Sequence, residues 1–82
     1  MVKLSGIIIT LNEEKNIKEA ILSLRKICDE IIVVDAFSKD NTVKIARELG
    51  AKVFQREWDN YVNQRNYAID KASGEWILFI DA

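Results

Sequence analysis

The sequence predicts an α/β domain built on a parallel sheet, and three observations carry that prediction. Strand-like and helix-like segments alternate from one end of the 82 residues to the other. The strand-like runs "GIIIT", "EIIVVD" and "EWILFI" are continuously apolar rather than alternating, as suits strands covered on both faces. Asparagine, aspartate and glycine stand where the helix-like segments start and stop.

"KLSGIIIT" (3–10) reads as the first strand. Asn12 or Asn16 then caps a helix. Asn16 and Glu19 have capping-box spacing, and Ile17, Ala20, Ile21, Leu24 and Ile27 form one apolar stripe. "EIIVVD" (30–35) is the second strand. After the "AFSKD" loop, Asp40 or Asn41 caps a helix carrying Val43, Ala46 and Leu49, and Gly50 sits where a C-terminal glycine belongs. "AKVFQRE" (51–57) is a third, more polar strand suited to an edge. Asp59 or Asn60 opens a third helix containing Tyr61, Val62, Ala68, Ile69 and Ala72, closed by Gly74, and "EWILFI" (75–80) is the fourth strand. Residues 1–82 read as one domain with right-handed crossovers and no linker or repeat.

Composition excludes several functions. The 12 Lys and Arg are interleaved with 13 Asp and Glu, for a net charge of -1, so no basic stripe for nucleic acid emerges. Cys28 is the single cysteine and there is no histidine, which rules out an internal disulfide, a Cys-based metal site and Ser-His-Asp or Cys-His catalysis within these residues. No apolar run approaches the roughly 18 residues of a membrane span, and the expected compartment is the reducing cytoplasm. Neither G-x-G-x-x-G nor G-x-x-x-x-G-K-[ST] is present, so the usual glycine-rich phosphate cradles are absent.

In an open parallel sheet, ligands collect beyond the carboxyl ends of the strands. Those positions are "TLNEE" (10–14), "DAFSKDNT" (35–42), "REWDN" (56–60) and "DA" (81–82). Asp40 is expected to cap a helix, and Trp58 and Trp76 to serve a core or an interface. Arg65 lies three and four residues from Tyr61, Val62, Ala68 and Ile69, so it should project from their buried face and need a partner, such as Asp35 or Asp81.

Four stretches in order, "LSGIIITLNEE" (4–14), "DEIIVVDAFSKDNT" (29–42), "QRNYA" (64–68) and "WILFIDA" (76–82), resemble the nucleotide-sugar domain of family 2 glycosyltransferases. The likeness is greatest to bacterial and archaeal lipopolysaccharide-type glucosyltransferases with the GT-A fold. It implies the N-terminal half of a Rossmann-like GT-A domain: a three-layer βαβαβαβ unit with strand order 3-2-1-4. Implied as nucleotide-binding are Thr10, Leu11, Asn12 and Glu13 around the base and ribose, Asp35 toward the pyrimidine ring N–H, and Arg65 toward the phosphates. Leu11 stands where many members carry a tyrosine that stacks on uracil, and Ala36 follows Asp35 where many carry a second aspartate.

Asp81 matches the first aspartate of the family's D-x-D motif, which with the donor diphosphate holds Mg²⁺ or Mn²⁺. The chain ends one residue before the second carboxylate, and the resemblance puts the catalytic base further downstream. The expectation is therefore a nucleotide-diphospho-sugar-binding piece, UDP-type favoured, of an inverting transferase of cell-envelope polysaccharide synthesis, inactive by itself and without a catalytic residue of its own. The alternatives are a half-fold that assembles without ligand, or a receiver-like signalling module with Asp35 as phosphoacceptor. The uncharged run Trp76 to Ile80 would form an exposed edge, so a homodimer through the fourth strand and its neighbouring helices is also expected.

Overall fold

Continuous apolar runs need cover on both faces, and the fold supplies it to "GIIIT" and "EIIVVD" and only in part to "EWILFI". The computed structural model describes residues 2–81. The domain limits 1 and 82, and the position after Asp81 in the D-x-D reading, lie outside them. The elements are β1 (Leu4–Thr10), α1 (Ile17–Arg25), β2 (Glu30–Asp35), α2 (Thr42–Glu48), β3 (Lys52–Gln55), α3 (Tyr61–Lys71) and β4 (Trp76–Asp81). They form one parallel sheet in the order β3-β2-β1-β4, as expected, with β3 at an edge.

Side chains alternate across the sheet and so divide the core in two. On one face Ile8, Ile31 and Val33 pack with Ile17, Ile21 and Leu24 of α1 and Ala46 of α2. On the other, Ile7, Ile32 and Val34 pack with Ala68 of α3, flanked by Phe54, Ile77 and Phe79. Each large aliphatic side chain fully buried here is worth about 1.5–3 kcal/mol.

Helix ends follow local chemistry, with some departures. Gly50 has φ +86, and the Gly50 N–H donates to the Arg47 carbonyl while Ala51 N–H donates to Ala46, which is a Schellman ending. Asn60, not Asp59, caps α3: its side-chain oxygen accepts from Asn63 N–H at 2.8 Å. The capping box at Asn16 and Glu19 does not form. Asn16 makes no side-chain cap bond, and its own N–H, which Glu19 would have to reach, goes to the Glu13 carbonyl in a tight turn. Ile27 lies past the end of α1 and is exposed.

The buried face of α3 departs further. Tyr61, Val62 and Ile69 are exposed, and the helix turns Gln64 and Ala68 inward instead. Small Ala68 lets the helix approach the sheet, and Gln64 is buried because its amide finds two polar partners in Arg56. Gly74 closes no left-handed cap. It is needed for space, since a Cβ there would lie 2.5 Å from Ser5 Oγ and 2.9 Å from Ser5 N.

That close approach belongs to a polar cluster at the amino ends of the strands. Ser5 Oγ accepts from Gly74 N–H at 2.9 Å and donates to Glu30 Oε2 at 2.5 Å. The same Glu30 oxygen accepts from Ser73 N–H at 2.7 Å, and Lys52 pairs with Glu30 Oε1 at 3.0 Å. Burial pushes the Glu30 carboxyl upward, but the bonds from Ser5, Ser73 and Lys52 outweigh it and lower its pKa from 4.5 to about 2.

A depressed folded-state pKa stabilises above the unfolded value and is lost as pH falls through the folded one. Glu30 should therefore contribute fully above pH 4.5 and lose its contribution on the way to about pH 2. Denaturation series across that range should show Glu30→Gln destabilising the neutral protein by about 2–3 kcal/mol. The variant should also flatten the acid limb of the stability curve. An unchanged acid limb would remove Glu30 from this role.

Candidate functional site

β1 is followed by α1 and then β2 on one side of it, whereas β4 returns to the other side. The carboxyl ends of β1 and β4 thus flank the point where strand order switches, where open α/β sheets bind ligands. A cleft of about 300 Å³ opens there. Ile9, Thr10, Leu11 and Glu13 form its β1 side, Asp81 the end of β4, and Trp58 and Tyr61 the wall before α3. Ile9 and Asp81 are register partners, so the Asp81 carboxylate stands at the last rung between the two strands.

Four of the residues expected at the site, Thr10, Leu11, Glu13 and Asp81, meet in this cleft. Asp35 does not line it. This residue is fully buried, and both carboxylate oxygens are engaged: Oδ1 accepts from Thr10 Oγ1 at 2.7 Å and from Ser38 Oγ, and Oδ2 accepts from Ser38 N–H at 2.7 Å. Asp35 thereby holds Thr10 in place across the β1–β2 ladder, and its burial leaves it unsuited to be a receiver-type phosphoacceptor.

The lattice spreads from there. Asn12 N–H donates to Ser38 Oγ at 2.7 Å, and Asn12 Oδ1 accepts from Lys39 N–H at 2.8 Å. Glu13 N–H donates to Thr42 Oγ1 at 2.8 Å, and Glu14 N–H to Asp40 at 3.2 Å. Asp40 also accepts from Thr42 N–H at 3.0 Å, but the N-cap residue of α2 is Asn41, which makes no side-chain cap bond, so Asp40 supports the helix start from one residue outside it instead of capping it as expected. The Thr42 hydroxyl bond, ahead of its other bonds, lowers the Asp40 pKa below the ordinary carboxylate value. Asn12 and Phe37 adopt left-handed backbone with φ 54 and 59, which the interlocked bonds on either side maintain.

Arg65 is not buried and pairs with neither Asp35 nor Asp81 among the described residues. The rotation of α3 that turns Gln64 inward places Arg65 on the helix flank, its guanidinium 4.4 Å from the centre of the Phe79 ring. Phe79 and Asp81 are two residues apart in β4 and share a face, so the guanidinium lies on Asp81's side of the sheet. Trp58 is 50% exposed and Trp76 71% exposed, so neither is a core residue. Trp58 belongs to the cleft. Its signal was a bulky aromatic between charged residues in a loop following a strand's carboxyl end.

Residues 5–82 match the family model described as Glycosyl transferase family 2. An uncharacterized glycosyltransferase of Rickettsia felis is 50% identical over 82 residues, covering 100% of this chain and 29% of the relative. Glucosyl-3-phosphoglycerate synthase from Mycobacterium tuberculosis, solved with UDP, superposes with a TM-score of 0.86 at 29% identity, over 98% of this chain and 33% of that one. The same enzyme solved with Mn²⁺, UDP and glucosyl-3-phosphoglycerate gives 0.85 at 29% identity and the same coverage. The chain belongs to glycosyl transferase family 2, has the GT-A fold, and spans under a third of the length of the curated relative.

Removing the Asp35 carboxylate should unlatch both loops. Asp35→Ala leaves the Thr10 hydroxyl and the Ser38 N–H without their acceptor, which should cost about 2–4 kcal/mol in urea unfolding. Amide exchange at residues 12, 13 and 38 should rise in parallel. Unchanged exchange there would show that the lattice does not depend on Asp35.

Proposed function

We propose that this chain is the nucleotide-diphospho-sugar-binding part of an inverting glycosyltransferase that moves a sugar from a UDP-type donor to an acceptor hydroxyl. The observation that carries the reading is the cleft at the β1/β4 switch point, lined by Thr10, Leu11, Glu13 and Asp81. Glucosyl-3-phosphoglycerate synthase, which shares this fold, has been solved in complex with UDP, and that supports the reading. The nucleoside would lie over the β1 loop, with Asn12 and Asp35 acting through the lattice that shapes it. The diphosphate would extend toward Arg65, whose planar, fixed-charge fork suits phosphate oxygens. Single Cys28 fits a reducing compartment, so the cytoplasm is the proposed location.

A divalent cation fits this end of the sheet only in part. Asp81 offers the hard oxygen that Mg²⁺ or Mn²⁺ prefers, but among the described residues no group of three metal-ligating side chains exists. Asp81 would hold such an ion together with donor phosphate oxygens. When bound, the ion would act as a Lewis acid that screens the departing diphosphate. No described residue is assigned as the base that takes the acceptor proton.

Titration calorimetry tests the reading. UDP should bind this chain about tenfold more tightly than uridine, and Arg65→Met should remove most of that difference with the fold intact. Equal binding of uridine and UDP by the parent sequence would refute the role given to Arg65. No binding of either would refute the nucleotide site.

β4 supports a second element of the reading, a symmetric dimer. β4 pairs with β1 on one side and has no strand on the other among the described residues, while Trp76 is largely exposed and Ile77 to Ile80 are half-buried. An uncharged edge of this kind invites pairing with a second copy. Sedimentation should find a dimer at micromolar concentration that Leu78→Lys dissociates. A monomer at high concentration would exclude it.

A further inference from the structure

Trp58 and Tyr61 are displayed rather than packed. Both are about half exposed, at 50% and 47%, yet both line the cleft. Their ring centres are 6.4 Å apart and the planes are tilted by 55°. Leu11, 51% exposed, is the apolar side chain on the β1 side of the same cleft.

A polar clamp, not burial, fixes the loop that carries Trp58. Arg56 grips Asp59 through two bonds of 2.9 and 3.2 Å, and its NH1 also donates to Gln64 Oε1 at 2.9 Å. Gln64, fully buried, returns a bond from Nε2 to the Arg56 carbonyl at 2.9 Å. Asp59 also accepts from Asn60 N–H at 2.7 Å and Asn63 Nδ2 at 2.8 Å. Trp58 is thus held between two tied residues, and Tyr61 is the first residue of a capped helix. Aromatic faces fixed before binding lose little entropy on contact.

We propose that Trp58 and Tyr61, opposed by Leu11, form the wall against which the donor's nucleobase stacks. The inference rests on the nucleotide-binding reading above and deepens it. The cleft's polar groups are few: the Glu13 carboxylate, the Asp81 carboxylate, which the reading above gives to an ion shared with the phosphates, and the Thr10 hydroxyl, which already donates its proton to Asp35. A pyranose, hydroxylated around its rim, would find too few partners. A flat base with apolar faces and polar edges matches apolar walls with carboxylates at the ends. Stacking on Trp58 and Tyr61 also takes over what Leu11, lacking a π face, does poorly.

Tryptophan emission isolates the wall, because Trp58 and Trp76 are the two tryptophans. In a Trp76→Phe background, uridine should quench Trp58 emission saturably, and methyl glucoside at equal concentration should leave it unchanged. Trp58→Ala should weaken uridine and UDP about tenfold by calorimetry, whereas Trp58→Phe should retain most of the affinity and confirm that the fold survives. If UDP binds but Trp58 emission and the Trp58→Ala affinity do not change, the wall is wrong and the nucleotide site stands. Quenching by methyl glucoside and not by uridine would assign the wall to the sugar and overturn the proposal. If UDP does not bind at all, the nucleotide reading fails and the wall with it.

Discussion

A buried carboxylate must be hydrogen-bonded on every side, and Asp35 imposes that condition on the carboxyl end of the sheet. It ends β2 with no solvent access, and it is satisfied only when Thr10 of β1 and Ser38 of its own loop come to it. Once they do, little freedom remains. Ser38 takes the Asn12 N–H, Asn12 takes the Lys39 N–H, and Thr42 takes the Glu13 N–H. The loop after β1 is therefore placed from beneath, leaving Leu11 and Glu13 facing the cleft. Short polar loops can be held rigid in this way without a core of their own.

Glu30 imposes a similar condition at the other end of β2. Strand alternation points Glu30 and Asp35 to opposite faces of the sheet. Glu30 draws in Ser5, Ser73 and Lys52, so it joins β1, the entry to β4 and β3 at the amino edge. The two ends nevertheless do different work. At the amino end the polar groups satisfy one another, and Gly74 closes the remaining space against Ser5. At the carboxyl end β1 and β4 stay paired while α1 and α3 lie on opposite faces of the sheet, and a cleft remains with aromatic side chains unspent in the core.

Much of this was legible in the sequence. Alternating strand-like and helix-like segments specified four parallel strands, three of them continuously apolar, and their order followed from the resemblance. Position after a strand placed Thr10, Leu11, Glu13 and Asp81 at one rim. Periodicity failed on α3, where apolar Tyr61, Val62 and Ile69 turned outward and polar Gln64 inward. A glutamine's burial depends on partners far away in the fold, here the backbone and guanidinium of Arg56, and no local pattern encodes them. The same error of rotation hid the exposure of Arg65 and its stacking on Phe79. Gly74 departs from the expected helix-closing role for a related reason, since the space it saves belongs to Ser5, 69 positions away in the chain.

In the proposed reading, the interlocked loops at the β1/β4 switch point form a nucleoside diphosphate site. Amide and indole NMR shifts of the labelled chain titrated with UDP test it most directly. Saturable shifts are expected at Thr10 to Glu13, the Trp58 indole, Tyr61 and Asp81, with none at Cys28, Glu30 or Gly50 around the small hollow at the opposite end. Shifts confined to that opposite end, or none at millimolar UDP, would contradict it.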